Sequence, residues 1–311
     1  MRHVLFGQSG LRVSELCLDA MVSGDARELG ASRKDSQEIF EAFASAGGSF
    51  IDTADHYADG ESERLVGEFV ASERDSFVIS TKWSVARHGG LQRSGNGRRN
   101  MMRAVEASLR RLKTDRIDLY SLHAWDYATP CEEIMRGLDD LVRGGKGHYV
   151  AIFDTPAWEV SRANMLAELR GWSPFAGLQV EYSLAARTPE RDLLPMAKTL
   201  GFAVMAWSPL AGGALSGKYS AKAAQRQPDP GRHHADCRRS RQHCGADGRK
   251  PGAGRTGLGA AAAGSGAGDP HHQRPHQGPT REQSAKPFGA TVRFPVGQAR
   301  QGQRHRTRIS A

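Results

Sequence analysis

The stretch IDLYSLH, residues 117–123, is a short apolar run that ends on a polar residue. An amphipathic segment precedes it at residues 100–113, and another follows it at residues 130–143. Apolar side chains recur in both segments at helical spacing, which predicts an α-helix on each side of a strand. A strand between two helices is the repeating unit of a parallel sheet, whose crossover connections are right-handed.

The same alternation extends in both directions from this stretch, with further helical segments at residues 35–46 and 187–200 and Asp35 as a candidate helix cap. The chain thus predicts seven strands with six helical segments between them. Their even spacing favours a (β/α)8 barrel, also called a TIM barrel, over an open doubly wound sheet. The other six apolar runs are VSELCLDAM (13–21), FIDTA (50–54), FVISTK (77–82), YVAIFD (149–154), GLQVEYS (177–183) and FAVMAWSP (202–209).

The last 91 residues differ in composition from residues 1–220. They carry 17 Lys and Arg against 5 Asp and Glu, although the whole chain has a net charge of +9. They also contain only six large apolar residues, too few to offset the entropy of ordering such a length. We therefore expect a barrel domain at residues 1–220 and a basic, low-complexity, disordered tail at 221–311, with the eighth strand and the last helices lost.

A frameshift between about residues 220 and 233 accounts for such a tail. Shifting the reading frame by one base lets residues 250–259 encode SPAQVALAW and residues 268–276 encode VIPIISART. Wobble positions leave this test considerable freedom. A basic arm that binds nucleic acid is the alternative, but the tail lacks aromatic residues for base stacking. We expect no metal site there, because the spacing of the candidate ligands matches no zinc motif; they are His233, His234, Cys237, His243 and Cys244.

Other features bear on the compartment. No run of about 18 apolar residues is present, so no membrane-spanning helix is predicted. The N-terminus lacks the apolar stretch of a signal peptide, and the four cysteines show no framework spacing. We expect a cytoplasmic protein.

Several predicted strands end in residues capable of chemistry. Asp52 lies late in its strand with Tyr57 five positions on, Lys82 ends the next strand, and His123 ends the one after. In a parallel barrel these ends open on one face, where active sites are built. Each residue alone is more often structural, but together they form an acid–base set. A lysine ammonium held by a carboxylate would lower the pKa of a tyrosine, and a histidine would orient a carbonyl oxygen.

Five motifs complete this pattern, and with them the chain resembles the aldo-keto reductases, in particular the bacterial branch similar to the potassium-channel β-subunit group. The resemblance covers residues 1–220 and implies NADPH-dependent reduction of an aldehyde or ketone without a metal. It implies that Tyr57 is the general acid, assisted by Asp52, Lys82 and His123. The motifs are FIDTADHY (50–57), ISTKW (79–83), SLRRLKTDRIDLYSLHAWD (108–126), DTPAW (154–158) and WSPLAGGALSGKY (207–219).

The resemblance also implies contacts with NADPH. Trp207 would stack on the nicotinamide ring, and Asp154 and Gln179 would lie near its carboxamide, beside Asp52. The loop after the seventh strand would follow the pyrophosphate, with contacts from Ser208, Pro209, Leu210 and Lys218.

The chain departs from this family at several positions. Asp19 and Ala20 stand where relatives usually have Gly-Thr, and Ala151 and Phe153 stand where they have Gly and Ser. Phe153 removes a polar contact to the nicotinamide amide and adds bulk. The tail also lacks the family's IPIxGxRxxxQ motif for the adenosine 2′-phosphate.

We therefore interpret the chain as an oxidoreductase acting on a small-molecule carbonyl substrate. Loss of the eighth strand leaves two unpaired strand edges, so we expect poor stability and weak or absent activity. The alternative is a non-catalytic, cofactor-binding remnant whose basic tail binds nucleic acid. The carbonyl substrate and the oligomeric state are not predicted.

Overall fold

The computed structural model describes residues 1–24, 30–85 and 93–217, together with the backbone of residues 260–264. An antiparallel hairpin comes first, with β1 at His3–Leu5 and β2 at Arg12–Ser14. Phe6 follows β1 and is fully buried, with its ring edge-on to Phe50 at a centroid distance of 5.9 Å. The hairpin therefore covers one end of the sheet that follows. No hairpin is expected from the sequence, because three-residue strands are too short to show an alternating pattern.

Seven parallel strands come next and lie side by side in chain order. Each overlaps one of the predicted apolar runs, so the parallel sheet expected from the sequence is confirmed. The strands are β3 (Leu16–Asp19), β4 (Phe50–Asp52), β5 (Val78–Trp83), β6 (Ile117–Leu122), β7 (Gly147–Phe153), β8 (Phe175–Glu181) and β9 (Ala203–Trp207).

A short strand, β10 (Ala260–Gly264), lies between β9 and β3 and closes the barrel. It runs antiparallel to both neighbours, with Ala261 opposite Cys17 and Ala263 opposite Met205. The sequence does not predict β10, which, being antiparallel, is not the parallel eighth strand that is expected to be lost. The edges of a seven-stranded sheet present unpaired backbone N–H and C=O groups, which any extended segment can pair with.

The parallel eighth strand of a (β/α)8 barrel does not occur among the described residues. The rest of residues 221–311 lies outside the described part of the chain. The proposed domain boundary at residue 220, the predicted disorder of the tail and its candidate metal ligands all concern residues outside that part.

Six α-helices connect the parallel strands, in agreement with the six helical segments expected. Their apolar faces pack on the outside of the sheet, in one buried cluster with side chains such as Ile79, Tyr120 and Ile152. The helices are α1 (Arg33–Ser45), α2 (Glu61–Phe69), α3 (Arg98–Leu112), α4 (Cys131–Arg143), α5 (Ala157–Arg170) and α6 (Leu193–Leu200).

Two helix starts differ from the expectation. The cap of α1 is Ser32, whose hydroxyl accepts the N–H of Asp35, so Asp35 lies in the first turn and is not itself the cap. The segment expected at residues 187–200 is divided into a 3₁₀ turn at Thr188–Glu190 and α6. Its division follows from Asp192, whose side chain accepts the N–H of Leu193 and so starts a new helix.

A buried carboxylate joins three elements behind the barrel wall. Glu63 on α2 is fully buried, and its two oxygens accept from Thr81 Oγ1 on β5 and from Arg111 Nε on α3, each at 2.6 Å. Ser62, its neighbour, donates to the carbonyl of Ala20 at 2.7 Å. These contacts fix α2 against β5, the strand that also carries Lys82.

We expect Glu63→Ala to lower the free energy of unfolding by about 3 kcal/mol, because it leaves the Arg111 guanidinium and the Thr81 hydroxyl without their partner. Urea unfolding measures the change. Arg64→Ala on the same helix is the matched control, since Arg64 is 54% exposed and pairs with Glu61 at the surface. It should cost less than about 1 kcal/mol. Equal losses from the two variants would contradict the role assigned to Glu63.

Candidate active site

Polar side chains gather at the carboxyl ends of the parallel strands, the end opposite the hairpin. Asp52 ends β4, Lys82 lies near the end of β5, and His123 follows β6. Lys82 Nζ donates to Asp52 Oδ2 at 2.5 Å and to the carbonyl of Thr53 at 2.9 Å. Lys82 is 1% exposed and Asp52 is 2% exposed, so the ion pair is shielded from water.

The charge of Lys82 is maintained by its neighbours. Burial alone would lower its pKa, but Asp52, then Tyr57 and Asp19, act in the opposite direction and leave the pKa raised. Lys82 therefore remains an ammonium group in the barrel interior.

Tyr57 reaches this ion pair from the loop after β4. It begins a 3₁₀ turn at Tyr57–Gly60, in which Ala58 and Asp59 have left-handed backbone angles. Lys82 Nζ lies 3.3 Å from the Tyr57 hydroxyl oxygen and donates to it. Burial raises the pKa of Tyr57, and Lys82 lowers it by less, so the net pKa is raised and not lowered as expected from the sequence. Tyr57 thus holds its proton, with its oxygen already accepting from an ammonium.

His123 completes the group of ionisable side chains. Its ring lies 5.8 Å from that of Tyr57, 4.9 Å from that of His56 and 4.9 Å from that of Phe153, between centroids. Burial, then Lys82 and His56, place its pKa well below the usual value. His123 is therefore neutral at pH 7, and its Nδ1 is buried with no hydrogen-bond partner among the described residues.

Gln179 lies on β8, and Asp154 directly follows β7. Gln179 Nε2 donates to Asp52 Oδ2 at 3.0 Å, while Gln179 Oε1 is buried with no partner among the described residues. Asp154 has a left-handed φ of 37° and accepts from Trp207 Nε1 at 3.3 Å. Burial raises the pKa of Asp154 to about 6. The two side chains present oxygen acceptors toward the same opening.

An aromatic wall borders this opening. Phe153 stacks on Trp207 with 6.0 Å between centroids and 15° between ring planes, and it meets His123 nearly perpendicularly. The bulk expected from Phe153 thus fills the space between the histidine and the tryptophan. Because Phe153 has no polar atom in its side chain, it offers no hydrogen bond there.

The loop after β9 lies next to Trp207. Ser208 and Ala211 have left-handed backbone angles, and Ser208 Oγ accepts the N–H of Gly212 at 3.3 Å. Pro209 and Leu210 follow Ser208 and lead into a 3₁₀ turn at Ala211–Ser216. Lys218 lies outside the described residues.

The structure thus brings Asp52, Tyr57, Lys82 and Gln179 into direct or shared hydrogen bonds, with His123 in ring contact. Sequence reasoning did not place Asp19 in this group. Asp19 ends β3 in register with Asp52, and its charge acts on both Lys82 and Tyr57. Its position at a strand end, the same signal that singles out Asp52, would have found it.

Comparison with known proteins identifies the family of the chain. The model of the aldo/keto reductase family matches residues 16–251. The chain therefore belongs to the aldo/keto reductase family, an oxidoreductase family.

Its relatives include proteins named as reductases and as an aryl-alcohol dehydrogenase. Norsolorinic acid reductase of Aspergillus flavus is 39% identical over 222 residues, which cover 68% of this chain and 57% of the relative. Aldo-keto reductase ausK of Emericella nidulans is 40% identical, over 68% of this chain and 56% of the relative. Aryl-alcohol dehydrogenase [NADP(+)] of Phanerodontia chrysosporium is 38% identical, over 66% of this chain and 57% of the relative. The chain spans less than two thirds of the length of these relatives.

Within the described part of the chain, no helix combines the length and apolar character needed to cross a membrane.

We expect the contribution of His123 to the stability of the protein to fall as the pH drops below about 6.5, because His123 is buried in its neutral form. The unfolded chain binds a proton at an ordinary histidine pKa, whereas the folded chain does so only at a much lower pH. Unfolding therefore takes up a proton in acid, and this one group costs about 1.4 kcal/mol per pH unit.

Urea unfolding at pH values above and below that midpoint measures the effect. Asp19 and Asp154, whose pKa values are raised, act in the opposite direction, so the comparison is between slopes. His123→Gln should change the slope of stability against pH by about 1.4 kcal/mol per pH unit, and His3→Gln at the exposed end of β1 should leave it unchanged. A slope that His123→Gln does not change would contradict the burial of His123 in its neutral form.

Proposed function

We propose that this protein reduces an aldehyde or ketone to an alcohol, with NADPH as hydride donor and Tyr57 as proton donor. The observation that carries the proposal is the contact of the Tyr57 hydroxyl with the buried Lys82–Asp52 ion pair at the open end of the barrel. The family of the chain supports carbonyl reduction as the reaction.

The role of each group follows from its charge. A neutral tyrosine donates its proton to the carbonyl oxygen only if the phenolate left behind is stabilised. Lys82 supplies this stabilisation, since its ammonium already donates to the same oxygen. Asp52 keeps the ammonium charged and in place, and the second bond, to Thr53, fixes its direction. Tyr57 is thus a general acid whose proton is released only when negative charge develops on its oxygen.

His123 lies where it can orient the substrate. Being neutral, it donates or accepts one hydrogen bond at each ring nitrogen according to its tautomer. Its ring lies beside both Tyr57 and Phe153, so a carbonyl oxygen at Tyr57 is also within reach of the imidazole. We assign His123 to holding this oxygen toward Tyr57.

The residues at the opening fit a nicotinamide. Its carboxamide NH₂ group is a double donor, and Gln179 Oε1 and the Asp154 carboxylate are acceptors. The Trp207 ring offers a flat apolar surface beside them. We assign Ser208, Pro209 and Leu210, which follow Trp207 along the chain, to the phosphates, together with Lys218 outside the described residues. When bound, a reduced nicotinamide supplies the hydride for the carbonyl carbon. One relative bears NADP(+) in its name, which supports NADPH as the form used.

Aromatic carbonyl compounds are the probes of choice for the substrate, because rings line the opening and because one relative is named an aryl-alcohol dehydrogenase. Cys17 and Cys131, the two cysteines in the described part of the chain, are buried and form no disulfide, which supports a reducing, cytoplasmic location.

We expect Tyr57→Phe to lower kcat for reduction of an aryl aldehyde by about a thousandfold, because it removes the proton donor and leaves the Lys82–Asp52 pair intact. Loss of reduced nicotinamide absorbance measures the rate. Tyr149→Phe is the control, since Tyr149 lies near the opposite end of β7 and should react at the rate of the unmodified protein. Equal rates for Tyr57→Phe and Tyr149→Phe would exclude Tyr57 as the acid.

We expect NADPH to quench tryptophan fluorescence, and Trp207→Ala to raise the Kd for NADPH about tenfold through loss of a stacking surface. Trp158→Ala is the matched control, because Trp158 is 60% exposed on α5. It should leave the Kd within about twofold. If the unmodified chain does not bind NADPH, the cofactor assignment is wrong; if Trp207→Ala binds as tightly, only the role of Trp207 is wrong.

A further inference from the structure

A second carboxylate faces the catalytic group from the strand next to Asp52. Asp19 ends β3 and is paired in register with Asp52 on β4, so the two side chains lie on the same side of the sheet. One oxygen of Asp19, Oδ1, accepts the backbone N–H of Met21 at 2.9 Å, which holds the half-buried carboxyl group at the open end of the barrel.

The charges around Asp19 do not balance. Asp52 faces it from β4 and Lys82 from β5, and Tyr57 lies beyond them on its turn. Lys82 is the cation among the described groups that act on Asp19, and its ammonium is already paired with Asp52 at 2.5 Å. Two carboxylates thus share one ammonium. Burial, more than the repulsion from Asp52, raises the pKa of Asp19 to about 7, and Lys82 acts against this rise.

We propose that Asp19 controls the reaction through Tyr57: reduction proceeds when the Asp19 carboxyl group is protonated and slows when it is ionised. This inference rests on the proposed function. In the reduction the carbonyl carbon accepts a hydride from the reduced nicotinamide, which is oxidised. The O–H bond of Tyr57 breaks as its proton forms the O–H bond of the alcohol, and water later returns a proton to the phenolate.

The control is electrostatic. Negative charge develops on the Tyr57 oxygen as its proton leaves, and an ionised Asp19 opposes that charge. Among the described groups that act on Asp19, the only cation is Lys82, which is already paired with Asp52. A protonated Asp19 leaves Lys82 and Asp52 as a neutral pair beside Tyr57. Asp19 does not touch the reacting atoms. It is a positioning residue that acts on Tyr57 through its charge, and Tyr57 remains the acid.

The test is the pH profile of kcat with an aryl aldehyde and NADPH, both saturating. The unmodified protein should lose about tenfold in kcat between about pH 6 and about pH 8, equivalent to one unit in the pKa of Tyr57. Asp19→Asn, which resembles protonated Asp19 at every pH, should change by less than about twofold. Asp19→Gly should also be flat, and it removes the side chain where Asn is not tolerated.

Asp115→Asn is the control for loss of one negative charge, because Asp115 is 87% exposed and distant from the barrel interior. It should retain the profile of the unmodified protein. A profile with the same break in Asp19→Asn would overturn the proposal. So would an effect confined to the KM for NADPH, since that result means that Asp19 only repels the cofactor.

A second measurement separates this inference from the proposed function. Carbon-13 NMR of labelled aspartate carboxyl groups, compared with Asp19→Asn, should show one resonance with a midpoint near pH 7. A midpoint below about 5 would overturn the inference even in an active enzyme. A midpoint near 7 in a chain that reduces no carbonyl compound at any pH would instead refute the proposed function, and the role of Asp19 with it.

Discussion

The Lys82–Asp52 ion pair is the interaction on which the candidate site depends. Removing two charges from water costs several kcal/mol per ion, and the cost is offset only if both groups are well paired. Here the ammonium also donates to the Thr53 carbonyl and the Tyr57 hydroxyl, and Asp52 also accepts from Gln179. The pair therefore links β4, β5 and β8 across the interior, and it brings the reactive hydroxyl to the one end of the barrel that the hairpin does not cover.

Backbone strain marks the same end independently of the chemistry. Non-glycine residues rarely adopt a left-handed φ, and such residues collect where function requires a particular geometry. Of the eight in the described part of the chain, Lys113 ends a helix, and the other seven lie in loops that follow parallel strands. Those seven are Ala58, Asp59, Ser84, Tyr127, Asp154, Ser208 and Ala211. A barrel whose left-handed residues are concentrated on one face has the conformation of its loops fixed there, as a binding site requires.

The sequence predicted what depends on periodicity and missed what depends on local pairing. Seven apolar runs located seven strands, and the polar residues at their ends located Asp52, Lys82 and His123. The hairpin was missed because its strands are too short to show a period, and β10 because a run of alanines shows none. The direction of the Tyr57 pKa shift was also beyond the sequence, because it depends on how completely the hydroxyl is buried. Asp19 was noted only as a departure from the family; its position at a strand end was a signal for the site, but its pairing with Asp52 is visible only in the folded sheet.

Asp19 and Phe153 suggest that this chain differs from its family in how the reaction is controlled. The four proposed catalytic positions match the family's set, whereas both departures face the opening around them. Asp19 adds a negative charge near Lys82, and Phe153 exchanges a polar contact for a ring stacked on Trp207. The charge of Asp19 acts on the proton of Tyr57, whereas the ring of Phe153 changes the surface available to a planar group. Because the two residues lie on β3 and β7, on opposite sides of β4, β5 and β6, each can be changed without disturbing the other's neighbours. Charge and shape at this site can therefore be changed separately, and replacing Asp19 or Phe153 singly by the family's residue would show which of the two alters the function.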